Sequence, residues 1–254
     1  MLHIEVVPCL TDNYSYIIFN KTDNLVGVVD PSEFKTINDI ISKKYKKLDY
    51  ILNTHHHFDH IGGNEELKNK YNSKIICSKI DKTKILNSDI TVSENEIFKF
   101  GDIIFKVISV PGHTMGHISF YSEAEKIIFT GDSLFSLGCG RIFEGTLKEM
   151  YNSLNKIKNL PKDTKIFCGH EYTKNNANFC LKYENNNKNL NQKIEWINKR
   201  RSVNLPTIPT VLEDELKTNI FLRCNNLGIK NNLNMKNSSD EQVFEKLRNL
   251  KDEF

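Results

Sequence analysis

Residues 54–60 read Thr54-His55-His56-His57-Phe58-Asp59-His60. Four of these seven side chains, His55, His57, Asp59 and His60, bind metal ions at neutral pH, in the spacing His-x-His-x-Asp-His. Residues 50–53 before them are apolar and strand-like, and Gly62-Gly63 after them permits a tight turn. The cluster therefore sits where a strand ends and a helix begins. In an extended segment alternate side chains share a face, so His55 and His57 can grip one ion while His56 points away. Asp59 and His60, past the bend, can grip a second. Imidazole and carboxylate together suit Zn, Mn or Fe, and a metal-dependent hydrolase is the first expectation.

Four ligands do not complete two metal sites, so others must come from elsewhere in the chain. Three further strand-like runs each end in one potential ligand: Val110-Pro111-Gly112-His113, Phe129-Thr130-Gly131-Asp132 and Ile166-Phe167-Cys168-Gly169-His170. Taken singly, His113 reads more readily as a structural residue and Asp132 as a turn or cap residue than as ligands, and Gly169-His170 says almost nothing. Loops at one end of a sheet can converge on a common site, and the repeated arrangement makes convergence the better reading.

The 254 residues suit one large domain, or one domain with a small appendage. With 39% hydrophobic and 26% charged residues the chain can bury a real core. A net charge of +3 gives no argument for nucleic acid, and no apolar run approaches the ~20 residues that span a bilayer. The N-terminal run lacks the features of a targeting peptide, which predicts a cytoplasmic protein. The six cysteines, Cys9, Cys77, Cys139, Cys168, Cys180 and Cys224, are scattered without a C-x-x-C pair, so reduced thiols are expected.

Strands are expected over residues 14–19, 25–30, 50–53, 74–77, 103–110, 118–121, 126–130 and 165–168, and the N-terminal run also reads as a strand. Between them, residues 33–45 place Phe34, Ile37, Ile40 and Ile41 on one helical stripe, and residues 65–71 and 147–159 look similar. This mixture implies two sheets, or one sheet with helical layers. Beyond about Tyr172 strand runs vanish, and Asn and Lys dominate. Residues 185–189 and 231–239 read as loops, and residues 192–201 as a helix. Thr210 with Glu213, and Ser239 with Gln242, resemble capping boxes, the second opening a final helix.

The metal motif, together with Gly112-His113-Thr114, Thr130-Gly131-Asp132 and Cys168-Gly169-His170, resembles the metallo-β-lactamase superfamily. Thr11-Asp12-Asn13-Tyr14, Gly138-Cys139-Gly140-Arg141, Glu144-Gly145-Thr146 and Gly169-His170-Glu171-Tyr172-Thr173 narrow the likeness to its glyoxalase II (hydroxyacylglutathione hydrolase) branch, nearly end to end. The resemblance implies an α/β fold, a four-layer αββα sandwich over residues 1–172, followed by a small helical, substrate-binding domain over residues 173–254. It assigns His55, His57 and His113 to one divalent metal and Asp59, His60 and His170 to a second, with Asp132 bridging. Zinc is the expected metal, with iron or manganese as alternatives. His3, His56 and His117 are left without a ligand role.

The implied reaction is hydrolysis of S-D-lactoylglutathione and related 2-hydroxyacylglutathiones to D-lactate and glutathione, the second step of methylglyoxal detoxification. Two cations about 3.5–4 Å apart bring the pKa of a held water towards 7, which supplies hydroxide for attack on the thioester carbonyl. Thiolate leaves readily, so no strong general acid is needed, and Asp59 is placed to orient the nucleophile. Glutathione carries two carboxylates and an amine, and the family resemblance gives its recognition to Arg141, His170, Tyr172, Arg248 and Lys251. The chain departs from the family at Phe143, where a Tyr is common, so a hydroxyl contact to substrate is missing or supplied elsewhere. A monomer without nucleic-acid or membrane partners is expected. The rival readings are another branch of the superfamily, such as a lactonase, a persulfide dioxygenase or a nuclease, and a non-catalytic metal-binding module.

Overall fold

The computed structural model describes residues 2–254. Its strands form two six-stranded sheets and one short hairpin. The first sheet runs, in spatial and chain order, through β1 (Leu2–Cys9), β2 (Asn13–Asn20), β3 (Leu25–Val29), β4 (Tyr50–Leu52), β5 (Lys74–Ser78) and β6 (Ile90–Val92). The second contains β7 (Ile97–Phe100), β8 (Ile103–Ser109), β9 (Ile118–Ser122) and β10 (Ile127–Gly131), then β13 (Lys165–Cys168) and β14 (Thr210–Val211). The hairpin pairs β11 (Leu134–Phe135) with β12 (Gly138–Cys139).

Alternation along the strands builds the layers. Tyr16, Ile18, Val29, Leu52 and Ile76 from the first sheet meet Phe100, Phe105, Phe120, Phe129 and Phe167 from the second, and these side chains make the inter-sheet core. The opposite face of the first sheet, with Ile17, Val28, Ile51 and Ile75, is covered by α1 (Phe34–Lys44) and α3 (Asn64–Tyr71). On α1 the stripe reads as the sequence predicts: Ile37 and Ile41 are buried at i, i+4. The outer face of the second sheet packs on α4 (Leu147–Lys158), which a Thr146–Glu149 capping box opens.

The helical tail comprises α5 (Thr173–Tyr183), α6 (Lys188–Arg201), α7 (Leu212–Thr218), α8 (Leu227–Asn232) and α9 (Asp240–Asp252). Ser239 and Gln242 form the expected capping box of α9. The box expected at Thr210 is absent. Val211 is the N-cap of α7 without a side-chain bond, because Thr210 belongs to β14 and its hydroxyl donates to Glu215 at 2.7 Å. The tail therefore returns one strand to the second sheet, contrary to the expectation that strands end near Tyr172. It is also stitched to the hairpin segment. The buried Glu215 accepts from the Leu137 amide at 2.7 Å, and Asn219 Nδ2 donates to the carbonyls of Phe135 and Gly138.

All six cysteines are buried and free. Among the described residues no helix is long and apolar enough to cross a membrane.

Candidate metal centre

The four strand ends that carry potential ligands open at the same edge of the sandwich. The His-x-His-x-Asp-His motif follows β4, and the short helix α2 (Phe58–Ile61) begins immediately after His57. His113 lies beyond β8, Asp132 follows β10 and His170 follows β13. One ligand atom each from His55, His57 and His113 lies within 4.8 Å of the others, and the same holds for Asp59, His60 and His170. Asp132 stands between the two groups. Its Oδ1 is 3.3 Å from His60 Nε2, and its Oδ2 is 3.2 Å from His170 Nε2 and 3.5 Å from His113 Nε2. Gly169 is required by this crowding, since a Cβ there would lie 2.3 Å from Asp132 Oδ1 and 2.6 Å from the His60 ring.

Hydrogen bonds on the far side of four of the five imidazoles decide which nitrogen faces inward. The Thr54 hydroxyl gives its only proton to Asp30 Oδ2 at 2.6 Å, so at 3.1 Å it can only accept from His55 Nδ1. His55 Nε2 is then a bare lone pair, buried and without a partner. His60 Nδ1 donates to Asp30 Oδ2 at 3.1 Å, His170 Nδ1 to Asp12 Oδ1 at 2.8 Å and His113 Nδ1 to the Arg141 carbonyl at 2.7 Å. Asn13 Nδ2 donates to Asp59 Oδ2 at 2.9 Å. Asp30 also lies close to His55 and His60, but its carboxylate is already engaged by the Thr54 amide, the Thr54 hydroxyl and His60. It orients the motif from behind.

This donor set fits divalent cations. The Nε2 atoms of His60 and His170 face each other at 3.3 Å, and lone pairs at that distance beside a carboxylate call for positive charge between them. A proton can supply it. Burial opposes charging His60 and His170, yet the Asp132 carboxylate outweighs it and raises both pKa values above the ordinary histidine value. On the other side, burial and the neighbouring His113 bring His57 down to about 4, leaving a neutral imidazole ready to ligate. The buried Asp132 Oδ1 has no aligned hydrogen-bond partner, as expected of an atom placed for a metal. The chemistry open to this arrangement is water activation and stabilisation of negative charge on an attacked carbonyl.

His117, left without a role from the sequence, stacks on His55 with ring centroids 4.6 Å apart, and its Nε2 accepts from the Asp132 amide at 3.0 Å. It fixes the backbone of Asp132. His56 points away from the cluster, as alternation predicts, towards Asp81 and Glu144.

Five of the candidate ligands, His57, Asp59, His113, Asp132 and His170, line a cleft of ≈ 650 Å³ that Phe58, Phe135, Arg141, Phe143 and Tyr172 wall. The Tyr172 ring lies parallel to His170, with centroids 4.7 Å apart. Phe143, exposed to solvent, packs edge-to-face with His57 and His113, with centroids 5.6 and 5.2 Å apart. A second cleft of ≈ 220 Å³ adjoins the first, sharing Phe135, Arg141 and Tyr172, and is lined by Lys251 and Arg248 from α9. These two cations, three residues apart, are not equivalent. Arg248 is only 4% exposed, and its Nη1 donates to the Cys139 carbonyl at 2.8 Å, so it braces the loop before Arg141. Lys251 Nζ lies 4.7 Å from the Phe254 ring centroid and 5.2 Å from that of Phe179. Burial first, then the Arg248 charge, lowers its pKa to about 8. Asp252 joins the Arg141 and Arg248 guanidiniums, at 3.1 and 3.0 Å.

The profile of the metallo-beta-lactamase superfamily matches residues 10–170, and the fold agrees with it: an ETHE1 from Myxococcus xanthus superposes with a TM-score of 0.71 at 20% identity, over 98% of this chain and 91% of that one. The chain belongs to the metallo-β-lactamase superfamily and, within it, to the hydroxyacylglutathione hydrolase family. The profile of the hydroxyacylglutathione hydrolase C-terminus matches residues 171–254. A hydroxyacylglutathione hydrolase of Pelagibacter ubique (strain HTCC1062) is 49% identical over 100% of both chains, and one of Bartonella tribocorum is 42% identical over 99% of each.

Proposed function

We infer that the protein is a thioester hydrolase that cleaves S-D-lactoylglutathione, and related 2-hydroxyacylglutathiones, to D-lactate and glutathione. The observation that carries this reading is the set of inward nitrogens of His55, His60, His113 and His170, each fixed by a partner behind it and gathered around Asp132. We take residues 1–172 as the metal-holding unit and residues 173–254 as the substrate-binding one.

His55, His57 and His113 would hold one divalent ion, and Asp59, His60 and His170 a second, with Asp132 serving both. Zinc is the ion we propose, with iron or manganese also suited to these donors. When bound, such ions supply an activated water and stabilise the oxyanion that develops on the substrate. Asp59, steadied by Asn13, accepts a hydrogen bond from the attacking water and aims its lone pair at the thioester carbonyl. His117 and Asp30 keep Asp132 and His60 from turning. Tyr172 and Phe143 flank the carbonyl and limit access of bulk water. The departing thiolate needs no proton from the protein.

The peptide part of the substrate extends into the adjoining cleft, where Lys251 and Arg141 meet its carboxylates. Arg248 contributes through the loop it braces. One chain lines both clefts, and a cytoplasmic monomer suffices for this chemistry. The test compares S-D-lactoylglutathione with the same lactoyl thioester of N-acetylcysteamine, which lacks both carboxylates. The expected result is cleavage of both, with a much lower KM for the glutathione thioester. Equal KM values would contradict the placement of the peptide.

A further inference from the structure

The middle histidine of the motif faces away from the metal set, into a cluster that the mechanism above does not use. His56 Nδ1 lies 3.2 Å from Asp81 Oδ1, and its Nε2 lies 3.3 Å from Glu144 Oε1. Asp81 is 0% exposed, and its carboxylate rests on the backbone of Gly116, where a Cβ would come within 2.1 Å of Oδ1. Glu144 Oε2 accepts from the Met115 amide at 2.9 Å, and its Oε1 accepts from Lys84 Nζ at 2.7 Å.

Four segments meet around this imidazole: the metal motif, the segment after β5 that carries Asp81 and Lys84, the loop from His113 to His117, and residues 141–146, which carry Arg141 and Phe143. The last of these is also tied by backbone bonds from the Phe143 and Glu144 amides to the His113 carbonyl, and from the Gly145 amide to that of Gly112. A buried carboxylate is costly unless a basic group faces it, and the His56 imidazole is the basic side chain within 3.2 Å of Asp81.

We propose that Asp81, His56 and Glu144 form a clamp that holds residues 141–146 against the metal motif, and that this clamp sets affinity for the thioester while leaving metal binding and the chemical step unchanged. The proposal rests on the glutathione-thioester reading above. The three are positioning residues, acting through Arg141 and Phe143. They need not touch substrate. Glu144 sits at the edge of the larger cleft, yet both of its oxygens are engaged by Met115, Lys84 and His56.

The test uses the metal-loaded protein and its Glu144→Ala, His56→Ala and double variants, with Glu144→Gln as the conservative control. Each single alanine variant is expected to raise KM for S-D-lactoylglutathione about tenfold, with kcat and metal content within about twofold of the parent. The double variant should be no worse than the worse single one, because the residues act as one unit. Glu144→Gln keeps one carbonyl oxygen to accept from the Met115 amide and the same reach towards His56, and should recover most of the affinity. Unchanged KM, additive effects or loss of metal would each overturn the clamp. Hydrogen exchange gives a readout independent of turnover: the amides of residues 143–145 should exchange faster in Glu144→Ala and His56→Ala, and unaltered exchange would also overturn it. If His56→Ala does not fold, Glu144→Ala and Glu144→Gln decide the matter. A parent protein that cleaves no glutathione thioester would refute the functional reading, and the exchange experiment would still judge the clamp.

Discussion

The two ends of the cleft are built on opposite plans. At the metal end His55, His60, His113, Asp132 and His170 are buried just beyond strand ends, and the four imidazoles each have a partner behind the ring. At the α9 end the groups are longer cations: Lys251 lies half-buried against the Phe179 and Phe254 rings, and Asp252 joins the buried Arg248 to Arg141 on the facing loop. The contrast teaches how the molecule divides its tasks. Chemistry needs donors fixed to within fractions of an ångström and so sits on sheet edges. Recognition of a flexible, doubly anionic peptide tolerates a softer frame.

The contrast can be broken most severely at its rigid end. Asp132→Ala removes the carboxylate that faces His60, His113 and His170, and should cost at least ~10³-fold in kcat together with metal retention, checked by steady-state kinetics and metal analysis. A variant with full metal content and turnover would deny the bridging role. One step back, Asp12→Asn keeps an acceptor for His170 Nδ1 but removes its charge. Loss of such partners typically costs ~10–100-fold in metal affinity or activity, and competition with a chromophoric chelator would measure it.

The softer end should yield a different signature. Lys251→Ala is expected to raise KM for the glutathione thioester about tenfold with little change in kcat, and to leave the N-acetylcysteamine thioester unaffected. The smallest effect concerns pH. Lys251, with a pKa near 8, is charged below that value and neutral above it, so KM should climb as pH rises through about 8 in the parent and not in Lys251→Ala. The sign for stability is the reverse. The folded pKa lies below the ordinary lysine value of 10.5, so the charged form opposes folding most fully below about pH 8, and that penalty fades between 8 and 10.5. A flat KM profile across this range would remove Lys251 from the carboxylate site.

The two ends also differ in how far they can be read from the sequence. Each of the seven candidate ligands follows a run of apolar, β-branched residues, so hydrophobic patterning locates the strand and the adjacent polar residue stands out. The buried stripe of α1 and the cap of α9 are equally visible, because both are local rules. The shell behind the ligands is not. Asp12 lies 158 positions from His170 and Asp30 lies 30 from His60, and no periodicity announces a pairing made only by the tertiary fold. Thr11-Asp12-Asn13-Tyr14 was visible as a motif, but its task is set by contacts: Asp12 holds His170, Asn13 holds Asp59 and Tyr14 donates to Glu171. The two-residue strands β11, β12 and β14 are too short to carry a pattern, and Thr210 reads as a cap only until β14 claims it. Arg248 and Lys251 look alike as an i, i+3 pair, yet burial against Cys139 makes the first chiefly a brace.

The measurement that bears most directly on the central claim is thioester cleavage as a function of metal stoichiometry. Metal-free protein is titrated with Zn²⁺ while hydrolysis of S-D-lactoylglutathione is followed. The account predicts negligible cleavage without metal and full activity as two equivalents bind, with D-lactate and glutathione released in equal amounts. Protein that binds two equivalents and leaves the thioester intact would contradict it.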